Sequence, residues 1–390
     1  MNIYYISPSV IPSKSANSIH VVYMCEALVK LGHKVTLFGV SNNQKISNNY
    51  INDYYGINSI DISLSLIFNR FGKGVELSIA IFSIFKYIID SYNGPKPEIV
   101  IARNLYAAIF LSFFFKNQII YETHSPEYGF RRKIQKWLVS SSKIYTVVIS
   151  KALKQIICKH HNCIGQNIFV FHDAARAYDF PLNANERREI RKNLLTNTLN
   201  LENFDKFVGY FGHLYEGRGI EIIQSLALKN KQHAFIVYGG NDLQIKKFRS
   251  DNNSNNIFFL GHIPPNFVQT AMSMMDILLM PYQSSVSIGI KGIDTSKWMS
   301  PIKMFEYMSF GVPIISSDLK VLREVLINRD NAILVKADDI GAWSKALKDI
   351  VDDPSFSKKL GNNAYDLCKS KYTWRIRANS MINLFGSDEN

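Results

Sequence analysis

The fold of this chain is decided by the stretch Ser300-Pro-Ile-Lys-Met-Phe-Glu306-Tyr-Met-Ser-Phe-Gly311-Val-Pro-Ile-Ile-Ser-Ser317. It predicts a loop, a short helix and a buried strand in succession. Ser300 can cap the helix with its hydroxyl, and Pro301 suits the first helical position. Gly311 and the proline that follows end the helix, and the apolar run after them fits a buried strand. Such helix–strand units are the building blocks of a parallel α/β sheet.

Two side chains of this helix are placed to recognise a ligand. Lys303 lies in the first turn, where backbone amides and the helix dipole favour an anion. Glu306 lies on the same side one turn deeper and can accept hydrogen bonds from hydroxyls. Phosphate recognition beside hydroxyl recognition indicates a nucleotide-sugar pocket. The alternatives are structural: Glu306 capping an amide or pairing with Lys303, and Lys303 solvated.

The same alternation of apolar strands and helices runs through the chain. Its 390 residues are too many for one ordinary core, so we predict an α/β fold of two tandem Rossmann-like domains with a helical C-terminal tail. The predicted parts are residues 1–180, a linker region at 181–204, residues 205–370, and a C-terminal helix at 371–390 that packs back on the first domain. Tandem domains of this kind place a ligand cleft between them.

Cysteines and apolar runs exclude other classes. The four cysteines form no CxxC pair, so a disulfide framework is not expected and a reducing compartment is. A zinc site at Cys158, His160, His161 and Cys163 is less favoured than a polar helix end. The apolar runs at 75–89 and 105–115 are too short to span a bilayer, which needs about 20 residues, and are predicted as core helices.

Positive charge is concentrated in the first half of the chain. The net charge is +13, and residues 1–180 carry 19 Lys and Arg against 10 Asp and Glu. The densest basic patch, Arg131-Arg-Lys133 with Lys136, is flanked by Phe130 and Trp137. It is either a solvated helix face or a site that docks onto an anionic membrane. Nucleic acid is not expected as a partner, because no recognised binding motif accompanies the charge.

A second motif, Tyr210-Phe-Gly-His-Leu-Tyr-Glu-Gly-Arg-Gly219, opens the second domain. It predicts a strand to Phe211, a glycine-containing turn and a helix from about Gly217. Arg218 would then lie near the helix N-terminus. Backbone amides and a guanidinium together suit a diphosphate.

These motifs and their order resemble a known family. Further fragments of the resemblance are Asn17-Ser-Ile-His-Val-Val22, Leu31-Gly-His-Lys-Val-Thr36, Tyr121-Glu-Thr-His124, Gly261-His-Ile-Pro264 and Tyr372-Thr-Trp-Arg375. The chain resembles a glycosyltransferase of the GT-B fold, in the large retaining family 4 of bacterial surface-polysaccharide and lipid glycosylation. Each fragment is weak, but their order is specific and covers most of the chain.

The resemblance implies roles by position. Arg218 stands at the family's basic position on the donor diphosphate, with His213 at a second basic position, and Glu306 is the glutamate that contacts the nucleotide ribose. His124 matches the active-site histidine near the donor sugar, although it could also be a hydrogen-bonded loop histidine. Residues 261–263 lie where the base is held, largely by backbone.

The predicted site follows from these assignments. Its catalytic residues are His124, Arg218 and Lys303. Its donor-binding residues are Asn17 and Ser18, which replace a Gly-Gly pair, with His213, Arg218, Gly261, His262, Ile263, Ser300, Pro301, Lys303 and Glu306. No metal and no cofactor are expected, because no DxD-like motif follows a strand.

One departure from the family leaves alternatives open. The family has an acid eight residues before Glu306, usually on the donor sugar, and this chain has Trp298 there. A subgroup with Ser-Pro-x-Lys shares this departure, so the enzyme interpretation stands. The alternatives are a non-catalytic nucleotide-sugar or glycan-binding subunit and a GT-B sugar-nucleotide epimerase. A nicotinamide-dependent oxidoreductase is disfavoured, because no G-x-G-x-x-G follows the first strand.

The expected partners are a nucleoside diphosphate sugar, with UDP favoured, and a lipid-linked or growing surface-polysaccharide acceptor. An anionic membrane surface is a further candidate. The N-terminus has no basic region and runs directly into a strand, unlike a signal peptide. The expected location is therefore the cytoplasm, with peripheral attachment to the inner face of the membrane as an option.

Overall fold

A computed structural model describes residues 1–42, 46–57, 62–68, 74–94, 96–114, 118–176, 184–195, 203–250, 254–290 and 292–386. The chain divides into two compact units. The N-terminal unit is Met1–Asp173 with Trp374–Asn390, and the C-terminal unit is Ala174–Thr373. Each unit contains a parallel sheet with alternating helices, which confirms the predicted α/β class. Much of the predicted linker, residues 181–183 and 196–202, lies outside the described residues, as do residues 387–390 of the predicted tail.

The N-terminal unit has a seven-stranded sheet in the order β3-β2-β1-β4-β5-β6-β7. Its strands are β1 (Asn2–Val10), β2 (Lys34–Ser41), β3 (Ser63–Phe68), β4 (Ile99–Ala102), β5 (Ile119–Thr123), β6 (Ile144–Val148) and β7 (Ile168–Val170). Its first six helices are α1 (Ala16–Lys30), α2 (Asn48–Tyr55), α3 (Val75–Asn93), α4 (Leu105–Phe114), α5 (Gly129–Ser140) and α6 (Lys151–His161).

The C-terminal unit has a six-stranded sheet in the order β10-β9-β8-β11-β12-β13. Its strands are β8 (Phe207–Phe211), β9 (Ala234–Tyr238), β10 (Ile257–Gly261), β11 (Ile277–Met280), β12 (Ile314–Ser317) and β13 (Ile333–Val335). Its helices are α7 (Ala184–Leu195), α8 (Ile220–Lys229), α9 (Asp242–Ser250), α10 (Pro265–Ser273), α11 (Ile302–Met308), α12 (Ile340–Asp352) and α13 (Pro354–Lys371). The last helix, α14 (Trp374–Ile382), belongs to the N-terminal unit and packs against α1.

Both sheets are built from short apolar strands. All five residues of β8 are buried, as are all four of β11 beside it. Strands buried on both faces read as continuous apolar runs, which is why the sequence locates them. The parallel order brings the carboxyl ends of β8, β9, β10 and β11 to one edge of the sheet, where ligands bind in open α/β folds.

The structure adds two features of the N-terminal unit that were not predicted from the sequence. One is β3, whose serines alternate with leucines at the edge of the sheet. The other concerns α3, because α3 and α4 both contribute to the buried core as predicted, but α3 also has an exposed side. Ile79 and Ala80 of α3 are fully buried, whereas Phe85 is 61% exposed.

Within the described ranges, no helix is long and apolar enough to span a membrane.

Candidate functional site

The loop after β8 holds Arg218 between two glycines with positive φ. Gly217 has φ of 79° and Gly219 has φ of 75°. A Cβ on Gly219 would collide with the carbonyl oxygen of Pro281, and one on Gly217 with that of Ser285. Glycine is therefore required at both positions, because only it allows this conformation and this close approach. The helix after the loop, α8, begins at Ile220 rather than near Gly217 as predicted, and no side chain caps it.

Arg218 is held by contacts on one side of its guanidinium. Nη2 donates to the carbonyl oxygen of Ser287 at 3.0 Å, and Nη1 donates to the hydroxyl of Tyr282 at 3.3 Å. Nε is buried and has no hydrogen-bond partner among the described residues. The side chain is therefore oriented by the protein while keeping a donor for a ligand.

Lys303 interacts electrostatically with Arg218 and lies against an aromatic ring. Its Nζ is buried, 4.1 Å from the ring centroid of Tyr210, and makes no hydrogen bond to any residue that the structure describes. A Cβ on Gly212 would come within 2.5 Å of this nitrogen. Burial, and then the charge of Arg218, lower the pKa of Lys303 well below its usual value. The predicted alternatives, a solvated lysine and a Lys303–Glu306 hydrogen bond, do not match this environment.

Glu306 follows one turn later on α11. Burial raises its pKa to about 7, even though Lys303 and Arg176 act in the opposite direction. Near neutral pH the carboxyl can therefore exist in both protonation states, as an acceptor or as a donor of hydrogen bonds. Either state can recognise a hydroxyl pair.

The start of α11 differs from the prediction. Pro301 occupies the N-cap position instead of the first helical position, and no side chain caps the helix. Ser300 is buried and lies one residue before the N-cap, so it does not occupy the predicted capping position. The reason is that the helix begins one residue later, at Ile302. Lys303 remains in the first turn, as predicted.

His213 completes this group. Its ring stacks on Tyr215 with 4.8 Å between centroids. Burial, then Arg218, Lys303 and His262, lower the pKa of His213 to about 4, so the ring is neutral at pH 7. It can offer a hydrogen bond, but not the second positive charge that the resemblance suggested.

Residues 261–263 lie at the same edge of the sheet. Gly261 ends β10, and its carbonyl oxygen accepts a hydrogen bond from the backbone of Gly239 at 2.6 Å. His262 is exposed and Ile263 is half-buried. We refer below to Arg218, Lys303, Glu306 and His213 as the Arg218–Lys303 cluster.

The loop before α11 is ordered by an acid that the sequence analysis did not single out. Asp294 accepts from the backbone nitrogens of Val286 and Ser296, both at 2.9 Å. Burial opposes ionisation, but these hydrogen bonds hold the pKa of Asp294 below its usual value. Asp294 thus shapes the loop, and its bonds do not make it a replacement for the acid missing at Trp298.

The N-terminal unit contains a second polar cluster around Glu122 at the end of β5. Oε1 of this buried carboxylate lies 2.9 Å from Arg377 Nη2, 2.9 Å from His20 Nε2 and 3.0 Å from His124 Nε2. Burial alone would raise the pKa of Glu122, but Arg377, His20 and Arg103 hold it well below its usual value. The carboxylate is thus a buried anion that orients the groups around it.

His124 is the member of this cluster that the sequence predicted. Burial and the nearby Arg103 lower the pKa of His124 to about 4, so the ring is neutral at pH 7. Arg103 Nη2 lies 3.1 Å from its Nε2. The side chain is 29% exposed, unlike that of Glu122. His124 is therefore both hydrogen-bonded and accessible.

Asn17 and Ser18 lie at the start of α1. Asn17 is exposed, and its side-chain amide donates to the Ser9 hydroxyl at 2.7 Å. Ser18 is buried, and its hydroxyl donates to the carbonyl oxygens of Ser13 and Ser15, each at 2.9 Å. The Ser18 hydroxyl therefore hydrogen-bonds to the backbone of the loop that precedes it.

Potential metal ligands meet at one place in the part of the chain that the structure describes. His20, Glu122 and His124 offer ligand atoms within 4.8 Å of one another. The guanidinium of Arg377 contacts the same carboxylate, which opposes a divalent cation there. The zinc alternative at residues 158–163 is not supported, because the cysteines and histidines of this segment, all of them described, form no second group of converging ligand atoms.

The structure thus separates the predicted residues into two groups. Arg218, Lys303, Glu306 and His213 meet in the C-terminal unit, whereas His124, Asn17 and Ser18 belong to the N-terminal unit. The sequence analysis missed Glu122 and Arg377, which are 255 positions apart. The one sequence signal for this contact is Glu122 in Tyr121-Glu-Thr-His124, because it places a charged residue at the end of an apolar strand.

Sequence comparison supports a glycosyltransferase. Residues 194–367 match the family described as Glycosyl transferases group 1. The chain is 21% identical to an uncharacterized glycosyltransferase of Methanocaldococcus jannaschii, over 94% of this chain and 93% of the relative.

Solved structures share the fold of the chain. The TM-score is 0.72 with the sucrose-phosphate synthase of Thermosynechococcus elongatus, at 16% identity, covering 99% of this chain and 98% of that one. It is 0.70 with Anabaena HepE in complex with UDP, at 13% identity, covering 99% and 100%. The fold is GT-B, as predicted.

Proposed function

We propose that this protein is a retaining glycosyltransferase of the family 4 type. It moves a sugar from a nucleoside diphosphate sugar to a hydroxyl of a lipid-linked or growing surface-polysaccharide acceptor. The carrying observation is the pair of buried donors, Lys303 Nζ and Arg218 Nε, that make no hydrogen bond to any described residue. A buried ammonium without a partner is costly, and a diphosphate placed against it would supply the missing charge and hydrogen bonds.

The Arg218–Lys303 cluster suggests how the reaction is promoted. As the bond between the sugar and the diphosphate breaks, negative charge develops on the leaving phosphate. Arg218 and Lys303, already oriented by their surroundings, stabilise that charge without reorganisation. This role requires no metal ion, so we propose metal-independent transfer. The acceptor attacks from the same face, and the leaving phosphate assists its deprotonation.

The remaining residues are assigned by the groups that they can recognise. Glu306 binds the ribose hydroxyls, and the segment 261–263 holds the base. His124, neutral and accessible, hydrogen-bonds to the donor sugar, with Glu122 fixing its position. UDP is favoured as the nucleotide, and HepE, which shares the fold, has been solved with UDP and with UDP-glucose. That likeness is an analogy of fold.

Thermal stabilisation by nucleotides tests the donor site. UDP, GDP, ADP, CMP and dTDP would be added without metal to the full chain, because a ligand that binds only the folded state raises the unfolding midpoint. We expect a selective shift with one nucleotide, lost in Arg218→Ala and Lys303→Met. Arg323→Ala, an exposed arginine of the same unit, is the matched control. A shift that persists in both site variants would contradict the assignment.

Turnover separates an enzyme from a binding subunit, the alternative raised by Trp298. Labelled sugar nucleotide should be slowly hydrolysed by the wild type even without acceptor. Glu306→Ala should reduce transfer and hydrolysis by orders of magnitude while the protein stays folded. Nucleotide binding without any release of sugar would instead favour the non-catalytic subunit.

A further inference from the structure

The outer side of α3 is an exposed apolar surface. Leu77, Ile81, Phe85, Ile88 and Tyr92 recur every three or four residues, which places them on one side of the helix. All five are exposed in the folded chain, Phe85 at 61% and Tyr92 at 85%. Single exposed apolar residues are common on protein surfaces. A continuous apolar stripe instead indicates a surface that binds a protein or a membrane.

The two helices next to α3 in contact order also carry exposed aromatic rings. α4 packs between α3 and α5, and Phe113 at the end of α4 stacks on Trp137 of α5 with 6.0 Å between ring centroids. Both rings are exposed, as is Phe130 at the start of α5. We call this surface, from the α3 stripe to Trp137, the α3–α5 face.

The charge of the α3–α5 face is positive. The acids beside it are paired, Glu76 and Glu127 with Arg131 and Asp90 with Lys86. Helix α5 also carries Arg132, Lys133 and Lys136, all exposed, and among the described residues no acidic side chain forms an ion pair with them. The basic patch predicted from the sequence is therefore smaller in the structure, because Arg131 forms ion pairs with Glu76 and Glu127.

We propose that the α3–α5 face docks onto an anionic phospholipid bilayer, with α3 lying in the plane of the interface. Helix α3 has 19 residues and is about 28 Å long at 1.5 Å per residue. Its side chains would enter the boundary between headgroups and acyl chains, and the cations of α5 would meet the lipid phosphates. The exposed tryptophan suits the same boundary.

Charge favours a membrane over a second copy of the chain. In a two-fold dimer the same surface lies on both sides, so the cations of one α5 would face an apolar or equally cationic surface. Like charges brought together across an interface oppose association. An anionic bilayer satisfies the apolar stripe and the cations at once.

Vesicle co-sedimentation of the full chain tests the proposal. The vesicles would be phosphatidylcholine alone or an equal mixture with phosphatidylglycerol, at about 50 mM and about 500 mM salt, where exposed charges are screened. We expect binding only to the anionic vesicles, weakened at high salt. Lys133→Glu with Lys136→Glu should reduce the partition coefficient by roughly fivefold or more for each reversed cation. Phe85→Ser with Ile88→Ser should remove the binding that survives high salt.

A matched control and an independent probe make the result decisive. Leu243→Ser with Phe267→Ser changes two apolar residues of the C-terminal unit that are, as a pair, at least as exposed as Phe85 and Ile88. This variant should bind vesicles as the wild type does. In the unaltered protein, brominated lipid should quench a fluorescence component that Trp137→Phe removes. No vesicle binding by the wild type, or unchanged binding by Phe85→Ser with Ile88→Ser, would overturn the proposal. A dimer that this variant converts to monomer without any lipid binding would also overturn it. All readouts are independent of sugar transfer, so the proposal can fail while the donor site stands.

Discussion

At the scale of single residues, the Arg218–Lys303 cluster is held at a cost in stability. Burial moves the pKa of Lys303 down and that of Glu306 up, and each shift opposes the charged form. Groups kept in such environments are characteristic of functional sites, because a merely structural position would tolerate an uncharged residue. The cluster is therefore expected to gain stability when its charges are removed.

Glu306→Gln should show this gain as a function of pH. The folded-state pKa of about 7 exceeds the ordinary value of 4.5, so the folded state binds the extra proton between these values. The wild type therefore loses stability as pH rises through this window, on the order of 3 kcal/mol at 1.36 kcal/mol per pKa unit. Glu306→Gln lacks this loss, and its unfolding midpoint should exceed that of the wild type at pH 8 and match it at pH 4.5.

The matched control is Glu216→Gln, which removes an exposed carboxylate from the same unit. Differential scanning calorimetry at the two pH values measures the difference directly. A constant difference between Glu306→Gln and wild type at both pH values would show that the Glu306 carboxyl is not destabilised by burial.

For single residues, the sequence predicted relations that follow from spacing along one helix. Lys303 and Glu306 were placed on one helix, as observed, and their spacing of three residues puts them on the same side. Glu122 was missed, since its meaning depends on Arg377 at the far end of the chain. The neutral state of His213 was missed as well, because burial is a property of the fold.

At the scale of elements, the loop between β8 and α8 depends on close backbone contacts. Gly219 precedes α8 with φ of 75°, and a Cβ there would meet the carbonyl oxygen of Pro281. Gly292, in the same unit, has φ of 82° but nothing within 4 Å of such a Cβ. A Cβ would therefore meet the same unfavourable φ at both positions, but it would collide with another atom only at Gly219.

Gly219→Ala should therefore cost more than Gly292→Ala. The left-handed conformation alone costs about 1–2 kcal/mol for a residue with a Cβ, which is the loss expected for Gly292→Ala. In Gly219→Ala the collision should also displace the loop that carries Arg218, so nucleotide stabilisation should be lost. Denaturant unfolding and the nucleotide shift measure the two effects. Equal losses and an intact shift in both variants would contradict the role of the close contact.

Among helices and strands, the sequence predicted the buried strands. It did not predict features that depend on neighbouring elements, such as which helix faces are exposed. The strand that ends at Phe211 and the strand that follows Gly311 were predicted from their apolar runs, whereas the edge strand β3 was not predicted. The inner side of α3 was predicted correctly, but the sequence could not say that its outer side is exposed. The predicted cap of α11 failed because Pro301 lies before the helix instead of within it.

At the scale of the whole molecule, the N-terminal unit includes a helix that follows the C-terminal unit in sequence. Helix α14 contributes Arg377, which is buried and contacts Glu122, the carbonyl oxygen of His172 and the sulfur of Met24. The N-terminal unit therefore combines residues 1–173 with residues from 374 onward, and residues 1–173 alone would leave Glu122 without the guanidinium of Arg377.

A double-mutant cycle should reveal this coupling. Breaking a buried ion pair by removing one partner costs about 3–5 kcal/mol, so Arg377→Met and Glu122→Gln should each destabilise strongly. The double variant should lose less than the sum, with a coupling energy of about 1–3 kcal/mol. Because the pKa of Glu122 is held well below its usual value, the coupling should be full at pH 7 and decline only as pH falls through that depressed pKa. Arg375→Met, an exposed arginine of the same helix, should change stability little. Additive losses at pH 7 would mean that Glu122 is neutralised by His20 and Arg103 without α14.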